Sequence, residues 1–294
     1  METQNTTIGD LLQDGFAYLK QYNLKTKRAL PSLVVHILSS TSGISKTKII
    51  GFPELEVPQI AITSYCNALA RYSQGEPIEL ILGEASFDGH MFQVTPDTLI
   101  PRPDSEIVLN AAHEKAHECL QSTGNVRLLD IGTGSGILAI TLSLRLTRMV
   151  EAWDISSAAL EVAKANQHRL GAHVTFHQHD AFTLLPSYEQ ARTFDVIVSN
   201  PPYIGEHERA ALDTSVIDFE PEIALFAQND GLAFYQLYAA YAQDWLSPQG
   251  WLCVEIGWKQ AGDVEKIFQQ HGWQNIQCIQ DLGARDRTII AQKP

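Results

Sequence analysis

Apolar residues recur at helical spacing through residues 8–72. Ile8, Leu11, Leu12 and Phe16 fall at i, i+3, i+4 and i+8, and Leu33, Ile37 and Leu38 repeat the habit. Pro31, Gly43, Pro53 and Pro58 punctuate the pattern, which therefore predicts several short helices rather than one long one. Residues 1–76 are expected to form a small helical-bundle domain. Strand-like alternation first appears at residues 78–83. From residue 80 to residue 100 the pattern reads as a β-hairpin turning at Asp88-Gly89, so residues 77–100 are expected to form a hairpin linker.

Beyond the linker the periodicity changes. A helical stretch follows Asp104 to about Leu120, and after Gly124 short apolar runs alternate with helical segments. The runs lie at 126–131, 149–153, 174–177, 194–199 and 251–256, and the helices at 137–146, 157–170, 231–246 and 259–271. Such alternation predicts a mostly parallel sheet covered on both faces. The last two runs, 276–279 and 288–291, are joined by too little chain for a helical crossover, so they should pair antiparallel at one edge. Residues 101–294 are thus expected to be one α/β domain of Rossmann-like type.

Composition narrows the setting. With 45% hydrophobic and 19% charged residues, the 294-residue chain can bury a full core. No uninterrupted apolar stretch approaches the roughly 20 residues a membrane span requires. The polar start Met1-Glu2-Thr3-Gln4-Asn5 does not have the basic-then-apolar form of a secretory leader, so a cytoplasmic protein with no membrane partner is expected. Cys66, Cys119, Cys253 and Cys278 lie far apart with no C-x-x-C pair, which suggests neither a zinc ribbon nor a disulfide framework. Residues 1–80 hold seven Lys/Arg against seven Asp/Glu, so the whole net charge of −13 sits in residues 81–294. Phosphate contacts dominate nucleic-acid affinity, and so acidic a body argues against nucleic acid as the substrate.

Two motifs carry chemistry. The apolar run 126–131 enters Gly132-Thr133-Gly134-Ser135-Gly136 and then the helix beginning at Ile137. Its glycines permit a tight turn and close ligand approach, and the helix start offers unpaired N–H groups. A dinucleotide fingerprint would place its third glycine one position later, at Ile137. Asp154 ends the second run eighteen residues beyond Gly136, close to the spacing of a carboxylate that grips ribose hydroxyls. Asp180, with Ala181 and Phe182 beside it, follows the third run where an adenine amino group would lie. These features serve any adenosine-containing ligand, and the glycine motif alone leaves other nucleotides equally open.

The second motif, Asn200-Pro201-Pro202-Tyr203, ends the run 194–199, and open α/β sheets place ligands at such strand ends. The two prolines stiffen the backbone and leave main-chain carbonyls free to accept. A planar NH₂ group needs acceptors. The Asn200 side-chain oxygen and the Pro201 carbonyl supply one each, turning the nitrogen lone pair toward the methyl of a sulfonium donor, with Tyr203 packed on the planar group. An amide or aryl-amine nitrogen is a poor nucleophile, so alignment and electrostatic stabilisation in a dry site are the catalysis expected of these four residues. No strong general base and no metal is required. His173, His177 and His179 crowd the third run but are read as solvated edge residues, and Lys25-Thr26-Lys27-Arg28 and Lys46-Thr47-Lys48 as solvated helix faces.

With these residues in view, the chain resembles the protein-(glutamine-N5) methyltransferases of peptide-chain release factors, the HemK/PrmC family. The resemblance covers nearly all of residues 75–294. It rests on Gly75-Glu76-Pro77-Ile78, Leu82-Gly83, Leu99-Ile100-Pro101-Arg102-Pro103-Asp104-Ser105-Glu106, Asp130 to Gly136, Asn200 to Tyr203, Glu220-Pro221, Asp230-Gly231-Leu232 and Asp286-Arg287. The segment from Ile100 to Glu106 discriminates, because N-P-P-Y also occurs in adenine-N6 and guanine-N2 methyltransferases. The resemblance implies a class I S-adenosylmethionine-dependent methyltransferase domain acting on the Gly-Gly-Gln glutamine of class I release factors, which the N-terminal helices recognise. It implies that Gly132 to Gly136, Asp154 and Asn200 contact the cofactor and that Arg102 and Glu106 order the entrance on the cofactor side. Ser105 stands where threonine is common, and Ala181 where members often carry an aromatic. The rival readings are an adenine-N6 DNA or RNA methyltransferase, which needs a basic groove and a flipped-base pocket, and a non-catalytic nucleotide-binding module, which leaves N-P-P-Y without a task.

Overall fold

The computed structural model describes residues 6–22, 30–185 and 193–294. The basic run Lys25-Thr26-Lys27-Arg28 lies outside them. The chain divides into two compact units, residues 1–83 and 84–294.

The first unit contains α1 (Ile8–Lys20), α2 (Leu30–Ser42), α3 (Lys46–Gly51), α4 (Gln59–Ser73) and α5 (Ile78–Leu82). Thr7 and Asp10 form a reciprocal capping box that starts α1. Ile8, Leu11, Ile37, Leu38 and Tyr65 meet in the core, and the Tyr65 hydroxyl donates to the Leu11 carbonyl at 3.0 Å. Phe16, expected on the buried face, is 38% exposed. The stripe runs instead through Ile8, Leu11, Gly15 and Leu19, because Tyr65 crosses so close to Gly15 that only a glycine fits under its hydroxyl. Residues 78–82, which read as a strand, are helical. Pro77 opens this turn, Ile78 and Ile81 pack on the helical core, and Gly83 ends it in left-handed backbone (φ 73°). Lys46 to Lys48 are exposed on α3, as expected.

The second unit opens with the hairpin, β1 (Glu84–Phe87) and β2 (His90–Gln93). Asp88 and Gly89 both adopt positive φ (48° and 74°), as the tight two-residue turn demands. Phe87 and Phe92 are buried in this unit's core beside α6 (Ser105–Thr123). The elements that follow are β3 (Leu128–Ile131), α7 (Ile137–Leu146), β4 (Val150–Asp154), α8 (Ser157–Leu170), β5 (Val174–Gln178), α9 (Ala181–Leu184) and β6 (Phe194–Ser199). After α10 (Thr214–Phe219) come α11 (Ala233–Trp245), β7 (Leu246–Glu255), α12 (Ala261–Gln270), β8 (Gln274–Gln280) and β9 (Asp286–Gln292).

The sheet order is β5-β4-β3-β6-β7-β9-β8, parallel through β7 and antiparallel at the β9 and β8 edge. This is the expected doubly wound α/β sheet. The order reverses beside β3: β4 lies on one side and β6 on the other, and the carboxyl ends of β3 and β6 open a crevice between them. One core packs on each face of the sheet, the first with Trp153 and Trp245, the second with Leu109, Leu138 and Val150. Between β6 and α11 the chain adds α10 and short 3₁₀ turns at Glu206–Ala211 and Glu222–Ala224, which had no periodic signature. Among the described residues no helix is long and apolar enough to cross a membrane.

Candidate active site

The crevice is a cavity of about 510 Å³, in the range of small-molecule sites. Gly132, Gly134 and Gly136 all hold positive φ, and at Gly132 and Gly134 an added Cβ would meet nothing of the protein within 4 Å. These two glycines therefore serve backbone shape and ligand approach rather than packing. The amides of Gly132 and Thr133 both donate to the Trp153 carbonyl, tying the loop to the end of β4. Asp154 Oδ2 accepts from the Gly134 amide at 2.8 Å and Oδ1 from the Ser156 amide at 2.9 Å. Each oxygen keeps a further lone pair for a ribose hydroxyl. Burial raises the Asp154 carboxyl above its ordinary pKa, against the pull of the hydrogen bonds from Ser156 and Gly134. Below the loop, burial pushes Asp130 up to about 7, although Thr133 and the Ala139 amide donate to it.

The wall where the sequence places adenine is built from α9. Asp180 caps its own turn, accepting from the Phe182 amide and the Thr183 hydroxyl. Ala181 is buried in the wall, while Phe182 is 46% exposed at the cavity and meets Phe234 edge-on at 4.9 Å. Phe182 thus brings an aromatic to the wall beside the position where Ala181 lacks one. Phe234, on α11, carried no signal in the sequence.

The other end of the cavity is formed by Asn200, Pro201 and Pro202. Asn200 Nδ2 donates to the Ser105 hydroxyl at 3.0 Å, which fixes the amide plane and leaves Oδ1 as the group's acceptor. Tyr203 is not in the cavity wall. Its hydroxyl donates to Glu255 Oε1 at 3.3 Å and its ring, partly exposed, packs against the core. The Tyr203 carbonyl accepts from Gln260 Nε2 at 2.9 Å, and Gly231 lies so close that a Cβ there would stand 2.1 Å from the same oxygen.

Glu255 is buried, and that burial pushes its carboxyl up to about 7, while the nearby Ser105 hydroxyl and the hydrogen bond from Tyr203 hold it down. Glu220 accepts from the Ile100 amide at 3.0 Å and pairs with Arg102, so residues 100–102 are strapped into the cavity wall. Arg102 faces the cavity and Glu106 does not. Ser105, Glu255, Gln260, Glu220 and Gly231 all support the site. Sequence reasoning gave none of these five a role there, because each acts across a long chain separation. Of His173, His177 and His179, in and beside β5, His179 alone lines the cavity, and His177 and His179 stack at 5.6 Å.

The comparisons with known proteins decide what this arrangement belongs to. The release factor glutamine methyltransferase of Koribacter versatilis is 39% identical over 83% of this chain and 84% of its own. That of Bacillus subtilis is 35% identical over 87% and 88%. The chain belongs to this family. It is an S-adenosylmethionine-dependent methyltransferase, and the Methyltransferase small domain matches residues 109–218, from α6 through α10. A solved methyltransferase from Pyrococcus furiosus shares the fold, with a TM-score of 0.51, 19% identity and coverage of 77% of this chain and 98% of that one. The open cradle at Gly132 and Gly134 and the carboxylate of Asp154 fit the family's cofactor in size and polarity. Family membership, with N-P-P-Y at the cavity end, sets aside the non-catalytic nucleotide module, and it does not favour the adenine-N6 reading.

Proposed function

We propose that this protein transfers the methyl group of S-adenosylmethionine to the side-chain amide nitrogen, N5, of the Gly-Gly-Gln glutamine in class I peptide-chain release factors. The observation that carries this reading is the Asn200 amide, fixed by Ser105 so that Oδ1 remains an acceptor beside the glycine cradle. The relatives' names give release factor glutamine as the target. The catalytic set is Asn200, Pro201, Pro202 and Tyr203, the last held through its hydroxyl by Glu255, and the cofactor set is Gly132, Thr133, Gly134, Ser135, Gly136, Asp154, Asp180, Ala181, Phe182 and Asn200. The cofactor contributes an electrophilic methyl on a sulfonium.

The protein's part is positional. Asn200 Oδ1 and the Pro201 carbonyl accept the two N–H groups of the glutamine, which sets its lone pair toward the methyl and favours a pyramidal nitrogen. Once methylated, the nitrogen is acidic and its proton leaves to solvent. The strap of residues 100–102 walls the cavity and limits water. Residues 1–76 recognise the release factor in the cytoplasm, and the acidic second unit, which carries the net charge of −13, disfavours nucleic acid as substrate.

The test is incubation with cofactor labelled on its methyl and a purified release factor, beside the same factor with its loop glutamine replaced. Label is expected in the first alone. Equal labelling of both factors would overturn the assigned target.

A further inference from the structure

Glu255 is 1% exposed at the end of β7, behind residues 200–203, and no step of the proposed reaction uses it. Its Oε1 accepts from Tyr203, its Oε2 is buried without a full hydrogen bond, and the Ser105 hydroxyl stands against the same carboxylate. The groups facing it are Asp104 and Ser105 at the start of α6, Tyr203 after β6, Tyr235 on α11, and Arg287 with Thr288 on β9. Arg287 is bound to Asp104 at 2.8 Å and to Asp281 at 2.9 Å, so these two carboxylates already engage its charge. Tyr235 donates to the Glu255 backbone carbonyl, not to its side chain.

The direction of these hydrogen bonds matters because a primary amide has one accepting and one donating end. Asn200 offers Oδ1 to a substrate N–H only while Nδ2 donates elsewhere, and it donates to Ser105. The Ser105 proton must then have its own acceptor. An ionised carboxylate accepts only, so it takes that proton and locks the sequence Asn200 to Ser105 to Glu255 in one direction. A protonated Glu255 permits the reverse: its O–H donates to Ser105, Ser105 donates to Oδ1, and the Asn200 NH₂ faces the substrate NH₂, donor against donor. We propose that Glu255 is a positioning residue that sets, through Ser105, which end of the Asn200 amide meets the methyl acceptor. This rests on the reading that Asn200 grips the target nitrogen.

The experiment is the pH dependence of kcat/KM with release factor, alongside cofactor affinity, in the wild type, Glu255→Gln and Ser105→Ala. With its carboxyl at about 7, Glu255 gives the wild type an acid limb in which kcat/KM falls below about pH 7 and levels off about tenfold lower, while cofactor affinity follows no such limb. In Glu255→Gln, whose amide serves either direction, the limb disappears and kcat/KM at pH 8 drops about tenfold, the size of one mis-set hydrogen bond. Ser105→Ala also abolishes the limb, and it carries the test alone should Glu255→Gln fail to fold. A wild type without the limb, or a limb that persists unchanged in these variants, overturns the proposal. A limb arising from Asp130 is of that second kind. Asn200→Ala separates the two readings: full turnover there sinks the grip itself, whereas a dead Asn200→Ala with an unaltered limb in the other variants sinks only the role of Glu255.

Discussion

Replacing Gly231 with alanine tests whether the Tyr203 carbonyl must stay where it is. Gly231 holds φ 83°, and its Cβ would stand 2.1 Å from the Tyr203 oxygen and 2.8 Å from its carbonyl carbon. Restoring ordinary contact requires a displacement of about 1 Å or more. Gln260 Nε2, 2.8 Å from the Cβ, could swing away, but the closest contact is with the backbone carbonyl of Tyr203, which that same Nε2 holds at 2.9 Å. The left-handed conformation adds about 1–2 kcal/mol for a residue with a Cβ. Pro201 and Pro202 transmit the shift, since their rings fix φ and leave little slack between Tyr203 and Asn200. A misplacement of about 1 Å at a reacting group costs about a hundredfold in rate, so kcat/KM with release factor should fall by about that factor. Cofactor affinity should stay within about twofold, because the glycine cradle is a separate segment. Thermal unfolding should shift down by about 4–8 °C for a loss of about 2 kcal/mol. Gly262→Ala is the control, because a Cβ there meets nothing within 4 Å. Wild-type kcat/KM in a Gly231→Ala protein that unfolds several degrees early would refute the reasoning, since strain would be present without consequence for the acceptor site.

Asn200→Ala should abolish methyl transfer while calorimetric cofactor binding survives largely intact; wild-type-like turnover would end the mechanism proposed. Asp154→Ala should weaken cofactor binding by about 1–3 kcal/mol, for lost hydrogen bonds to a charged group and a loosened Gly134 amide. An unchanged dissociation constant would show the ribose to be misplaced. Asp130 gives a pH signature. Its folded pKa, about 7, lies above the ordinary 3.8, so its contribution to stability is fully present below about 4 and is lost as pH rises through about 7. Asp130→Asn removes that loss, so its melting temperature relative to wild type should climb from pH 5 to pH 8; a difference that stays constant across the range would contradict the burial argument.

The elements with strong periodicity were legible in the sequence because each is decided locally. The run 194–199 and the helices 137–146 and 157–170 occur at those same bounds, since buried parallel strands and long amphipathic helices write their burial into consecutive residues. Residues 78–82 misled because five apolar-rich residues suit either period, and only packing on the helical core decides between them. The segment between β6 and α11 was illegible for a different reason. Its short helix and 3₁₀ turns are held by contacts such as Glu220 with Ile100 across 120 positions, which leave no periodic trace.

The same division runs through the site. The glycine-loop end is built from a contiguous motif and from Asp154 only 20 positions from its partner amide, so it is visible in one stretch of sequence. The end around residues 200–203 is assembled from far apart: Ser105 reaches Asn200 across 95 positions, Glu255 reaches Tyr203 across 52, and Gln260 reaches Tyr203 across 57. Segments that resemblance marked without explaining fall into place here. Ile100 and Arg102 bind Glu220, Asp104 binds Arg287, Ser105 binds Asn200, and Gly231 gives the Tyr203 carbonyl its room. These marks are therefore parts of one brace around residues 200–203. Tyr203 is tied into that brace, its hydroxyl to Glu255 and its carbonyl to Gln260.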